Sequence, residues 1–154
     1  MLDAPRIIES AAQLTAAIRL TIPRTEIQHV MGPGLAELRA AVTAQGLAPT
    51  GPWLTHHFRM DPAIFDFEIA LPVSTPVAAA GRMRTGHLPA TTVARAVLHG
   101  DYAGLPAAWG ELDAWIAAHG YTPGAELWER YVVGPESHPN PADWRTELNR
   151  PVTR

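Results

Sequence analysis

Lysine is absent from the 154 residues; all twelve basic side chains are arginine, scattered singly with no basic run. The formal net charge is -3. A nucleic-acid binder normally presents a basic patch that releases phosphate counterions, so this balance argues against direct DNA binding. Cysteine is absent too. That excludes disulfides, thiolate zinc sites and a cysteine nucleophile, and is compatible with a reducing compartment. No apolar stretch approaches the roughly 20 residues needed to span a bilayer. Asp3 and Arg6 precede any apolar run, so the first ten residues do not read as a signal peptide. A cytoplasmic protein with no membrane partner is the expectation.

What is present suits one core. Apolar residues make up 47% and charged residues 18%, the reverse of a disordered chain. The length is that of a single domain over residues 1–154. Fifteen prolines and twelve glycines predict many short elements joined by turns.

Ile18, Leu20 and Ile22 alternate with Arg19 and Thr21, which predicts a strand over Thr15–Ile22. Leu35, Leu38 and Val42 have helical spacing, with Gln45-Gly46 as the stop and Pro33 predicting a start just before it. Strands follow at Trp53–Met60 and Ile64–Ala70, the latter with Phe65, Phe67 and Ile69 on one face. A second pass begins with a strand at Thr91–His99. Leu105, Trp109, Leu112 and Ile116 then mark one helix face, and Gly120 a C-cap. Strands at Ala125–Val133 and Trp144–Leu148 complete it, with Pro151 as the stop. Ala44-Gln45-Gly46-Leu47 and Ala118-His119-Gly120-Tyr121 end the two helices in a similar phrase. The order suggests an internal duplication. The predicted class is α+β: two strand-helix-strand-strand units forming one antiparallel sheet, two helices on one face and a ligand cleft on the other.

Glu129 is the residue with most chemical interest. Alternation along Glu126–Val132 puts Leu127, Glu129 and Tyr131 on one face. A carboxylate between Leu and Tyr is costly to bury alone; desolvation raises its pKa, and a cationic ligand lowers it again. The plainer alternative is an ion pair with a neighbouring strand's arginine, such as Arg95. Trp53, Phe67, Tyr102, Tyr131 and Trp144 could wall a flat ligand or make cation–π contacts. Core packing is the competing account for most of them, and Trp109, on the apolar stripe, is expected to be core. Glu147 could pair with Glu129, but is expected to be solvated or bound by arginine. Adjacent histidines, His56 and His57, face opposite sides of a strand and cannot chelate one ion. No zinc signature, phosphate loop or nucleophile elbow occurs. No metal and no cofactor are expected.

The chain resembles the GyrI-like, or AraC effector-binding, domain family. The phrases that carry the likeness are His99-Gly100-Asp101-Tyr102, Trp109–Gly120, Trp128-Glu129-Arg130-Tyr131 and Trp144-Arg145-Thr146-Glu147-Leu148 with Pro151-Val152. In the first half they are Gln45-Gly46, Gly51-Pro52 and Phe65-Asp66-Phe67-Glu68 before Leu71-Pro72-Val73. The resemblance implies binding of a small aromatic or cationic molecule, with Glu129 as the buried family glutamate and Tyr102 as the tyrosine after the glycine. His57 departs from it, standing where a tyrosine is common. A helix-turn-helix segment is not evident, so a regulator reading DNA by itself is not expected. The expected ligand-binding set is Glu129, Tyr131, Tyr102, Trp53, His57, Phe67 and Trp144. Two alternatives stay open. One is a hydrolase of reactive, cyclopropane-bearing natural products, with Glu129 and Tyr102 catalytic. The other is a protein-interaction module that inhibits a larger enzyme.

Overall fold

Nine strands and two helices follow one another in the computed structural model, which describes residues 1–154. They are β1 (Arg6–Ser10), β2 (Gln13–Pro23), α1 (Ile27–Ala44), β3 (Leu54–Met60), β4 (Ile64–Pro72), β5 (Met83–Leu88) and β6 (Thr91–His99). Then come α2 (Leu105–Ala118), β7 (Thr122–Pro123), β8 (Leu127–Val133) and β9 (Arg145–Thr153). Within each of the chain's two units every strand pairing is antiparallel. The class is α+β, and the strand-helix-strand-strand order occurs twice, as β2-α1-β3-β4 and β6-α2-β8-β9. The chain divides into two units, Ala11–Ala90 and Met1–Ser10 with Thr91–Arg154.

In the Ala11–Ala90 unit the strands run β3-β4-β2-β5. Ile18 of β2 lies opposite Ile69 of β4, and both are fully buried with Leu38 and Val42 of α1. Gly34 allows this close packing, since a Cβ there would fall 2.6 Å from Ile69 Cδ1. Helix α1 begins at Ile27, six positions before Pro33, rather than at the proline. Pro33 and His29 both lie on the exposed side, so water can meet the carbonyl whose helical N–H partner the proline removes.

In the other unit the order is β8-β9-β6-β1, with β7 paired to β9 beyond. Ala94, Ala96, Leu98 and Leu148 of the sheet pack on Ala108, Leu112 and Ile116 of α2. Asp101 caps the turn before α2 by accepting from Ala103 N at 2.6 Å, and Gly120 after it has φ +78°, the left-handed cap that glycine takes without strain. Strand β9 runs on past Pro151 to Thr153, beyond the expected stop. Proline is tolerated where its missing N–H is not needed, and the Pro151 carbonyl still accepts from Gly124 N at 2.8 Å.

The duplication extends to register. In β3 the pairing to β4 slips between His57 and Arg59; in β8 the pairing to β9 slips between Tyr131 and Val133. Both bulges leave one residue, Phe58 or Val132, outside the ladder. His56 opposite Glu68 therefore occupies the place of Arg130 opposite Glu147.

Candidate functional site

Glu129 lies opposite Leu148 of β9, and Leu148 belongs to the core under α2. The glutamate thus points to the face that carries the helix, not to the opposite face where the cleft was expected, because the Trp109 indole of α2 supplies its hydrogen bond there. It does share that face with Leu127 and Tyr131, as alternation requires. Two neutral groups hold its carboxylate: Trp109 Nε1 of α2 donates to Oε2 at 2.7 Å, and the Tyr131 hydroxyl donates to Oε1 at 2.7 Å. No ion pair reaches it. The residue keeps partial exposure at its surface, yet burial of the carboxyl is the main influence on its pKa and raises it; the two hydrogen bonds act the other way and do not fully compensate.

Arg95 is not its partner. Arg95 Nε donates to Asn149 Oδ1 at 2.6 Å and lies 3.4 Å from Glu147 Oε1. Arg130 Nη1 donates to the same Glu147 oxygen at 3.0 Å, and Asn149 Nδ2 at 3.1 Å. Arg130 and Glu147 face each other across the strands, on the side away from Glu129. Glu147 is thus arginine-bound, and no carboxylate pair forms with Glu129.

Three aromatic residues form a packed chain that starts at Glu129 with Tyr131. Tyr102, in the turn before α2, stands edge-on to Tyr131 with centroids 5.7 Å apart and tilts against Trp144 at 4.9 Å. Trp144 Nε1 donates to the His138 carbonyl at 2.7 Å, anchoring the 134–143 connection. Burial, with help from the Glu136 and Glu129 charges, pushes the Tyr102 phenol up to about 12, so it keeps its proton at neutral pH. The structure therefore brings together four of the expected residues: Glu129, Tyr131, Tyr102 and Trp144. Trp109, expected to be plain core, is half-buried and serves Glu129 as a donor. Its position on an apolar stripe hid that role, because an indole N–H needs a partner wherever it is buried.

Trp53, His57 and Phe67 belong to the Ala11–Ala90 unit. Phe67 is fully buried, and Trp53 and His57 nearly so. The His57 ring stacks on Phe67 at 5.0 Å and 13°, with Phe65 edge-on at 5.5 Å. Desolvation, then the His56 and Arg24 charges, lowers its pKa to about 4, so this imidazole is neutral at physiological pH. Glu68 of β4 is half-buried, and burial raises its pKa as well. A recess of about 240 Å³ between the first residues and α2, lined by Leu2, Leu98, Gly104, Ala108 and Glu111, holds none of the expected binding residues. No cluster of three potential metal ligands exists, and no helix is long and apolar enough to cross a membrane.

The family model for the GyrI-like small molecule binding domain matches residues 3–153. Of the curated proteins, none matches. Among solved structures, the EcmrR C-terminal domain is 22% identical, with a TM-score of 0.86, and 98% of each chain is covered. EcmrR in its DNA complex in EcmrR-RPo is 21% identical with a TM-score of 0.85; the match covers 98% of this chain and 57% of that one, so this chain spans little more than half its length. SAV2435 bound to tetraphenylphosphonium is 16% identical over 98% of this chain and 94% of its own, with a TM-score of 0.69. A hydrolase from Listeria innocua is 12% identical over 97% and 91%, with a TM-score of 0.65. At these identities the likeness is one of fold.

Proposed function

The chain belongs to the GyrI-like small-molecule-binding domain family, and we propose that it takes up an aromatic cation, in the cytoplasm, with Glu129 as the selecting charge and residues 1–154 acting as one domain. The observation that carries this reading is the state of Glu129. It is a buried carboxylate with two neutral donors and no cation in reach. Buried charges are ordinarily paired. A cation arriving beside it would supply the missing charge, and the aromatic chain Tyr131, Tyr102 and Trp144 leads away from it. That SAV2435 has been seen with tetraphenylphosphonium makes this ion a suitable probe.

The test is calorimetry with tetraphenylphosphonium and with uncharged triphenylphosphine oxide. A charge-assisted contact is worth about 1.5–3 kcal/mol, so Glu129→Gln should weaken the cation about 10- to 100-fold and leave the neutral compound unchanged. Equal affinity of wild type and variant for the cation would refute the reading.

One observation supports a hydrolytic alternative: Glu129 and Tyr102 both have raised proton affinity. Either could deliver a proton to a leaving group. On that account Glu129→Gln leaves binding intact and cuts turnover of a cyclopropane-bearing electrophile about 10²- to 10⁴-fold.

A further inference from the structure

The cluster around Glu129 holds more hydrogen-bonding capacity than the protein spends. The Tyr102 hydroxyl and Thr146 Oγ1 are both buried, and neither finds a partner in the protein. Buried side-chain polar atoms are nearly always paired, so two orphans in one neighbourhood call for an explanation. They are neighbours through named residues. Thr146, fully buried, lies opposite Tyr131 across the strands. Tyr102 packs against that same Tyr131 and against Trp144, two residues before Thr146.

Each of these hydroxyls has a donor unspent. Both Glu129 oxygens already accept, one from Trp109 and one from Tyr131. A phenol donates better than it accepts, and Tyr102 retains its proton at neutral pH. Gly134 keeps space beside this hydroxyl: a Cβ there would stand 3.0 Å from Tyr102 Oη and 2.6 Å from Glu136 Oε2. Two carboxylates, Glu129 and Glu136, and the two unpaired hydroxyls thus give the neighbourhood both negative charge and neutral donors.

We propose that the ligand of this site carries, besides its positive charge, an uncharged hydrogen-bond acceptor, such as a ketone, amide or ether oxygen, which takes the Tyr102 hydroxyl with Thr146 as a second donor. This rests on the reading of Glu129 as the selector of cations. It narrows the class from lipophilic cations in general to aromatic cations bearing a neutral oxygen. The hydroxyls remain unsatisfied in the empty protein and gain a partner on binding, so they favour the oxygenated ligand over an isosteric hydrocarbon.

The probes are two phosphonium ions of one shape, (4-acetylbenzyl)triphenylphosphonium and (4-isopropylbenzyl)triphenylphosphonium. Wild type should bind the acetyl compound about five- to tenfold more tightly, the worth of one neutral hydrogen bond. Tyr102→Phe should bring the two affinities within about twofold of each other, and Thr146→Val should shrink the ratio. A ligand-free measurement is independent: both variants delete an unpaired hydroxyl and should melt higher than wild type. Equal wild-type affinities, a ratio that survives in both variants, or a lower melting point for Tyr102→Phe would overturn the inference. The two readings fail separately. If Glu129→Gln leaves the isopropyl compound's affinity unchanged while the acetyl preference persists, the cation reading falls and the hydroxyl assignment stands. If neither compound binds, both fall.

Discussion

Replacing Glu129 with glutamine should stabilise the ligand-free protein, and only at pH values where Glu129 would ionise. Glutamine keeps the shape. Its carbonyl can accept from Trp109 Nε1, and its amide can donate to the Tyr131 oxygen once that hydroxyl rotates, so both contacts seen at 2.7 Å persist. What disappears is the charge, whose burial outweighs those two hydrogen bonds and raises the carboxyl pKa. An acid with a folded pKa above its unfolded value costs stability once it ionises. The cost is absent well below the ordinary carboxylate value of 4.5. It grows as pH rises from there through the raised pKa and is constant above. Each unit of elevation corresponds to about 1.4 kcal/mol. In a domain of this size about 1 kcal/mol moves the melting point by ~2–4 °C. A higher melting point than wild type is therefore expected at pH 8, the gain fading toward pH 4. Melting curves of both proteins across that range, without ligand, measure it. A variant less stable than wild type at pH 8, or a difference that does not change with pH, would refute the account of Glu129 as an under-compensated buried charge. The same variant should lose affinity for cations, so stability and function would move in opposite directions, as at many functional sites.

Trp109→Phe removes one of the two donors to Glu129 and should cost about 1.5–3 kcal/mol at pH 8, less where the carboxyl is protonated; urea denaturation at two pH values checks this. The His57 ring should titrate near 4 rather than 6.5 by NMR. Because the unfolded chain takes up that proton first, stability should fall as pH drops from 6.5 toward 4, by up to about 3 kcal/mol, and His57→Phe should flatten the decline. Gly34→Ala places a methyl 2.6 Å from Ile69 Cδ1 and should cost about 1–3 kcal/mol in denaturant melts, the usual penalty of overpacking.

Elements with clean periodicity were legible in the sequence. The strand at Thr91–His99 has the predicted bounds, and Leu112 and Ile116 are fully buried under the α2 stripe. Strand β5 was not legible, because Gly86 sits in its interior and its burial does not alternate simply. Strand β1 is five residues with charges at Arg6 and Glu9 and little contrast between faces. Both prolines misled for one reason: Pro33 and Pro151 sit where the lost N–H is tolerated, a property of surroundings rather than of composition. At the site, alternation grouped Glu129 with Leu127 and Tyr131. It could not say which face the helix would cover, and so it missed Trp109 as a partner and Thr146 as a neighbour.

The duplicated register shows how the two units diverged on one backbone plan. Glu68 and Glu147 hold matching positions, each opposite the second residue before a register slip: His56 faces Glu68, and Arg130 faces Glu147. Ala17, opposite Ala70, stands where Arg95 stands opposite Asn149. The unit with both arginines neutralises its glutamate on the side away from the helix; in the other, Arg19 opposite Glu68 bonds Asp66 instead, and Glu68 stays half-buried with a raised pKa. On the helix side the contrast reverses. Thr55 opposite Ile69 takes the place of Glu129 opposite Leu148, and His57, neutral with a pKa near 4, takes the place of Tyr131. A cation beside His57 would thus meet no charge to attract it, whereas one beside Tyr131 would meet Glu129. Identical backbone pairing with different side chains means that the fold does not dictate where the buried charge sits. Charge selection is therefore a property of β8 and α2, and exchanging Thr55 and Glu129 between the units should move it without altering the sheet.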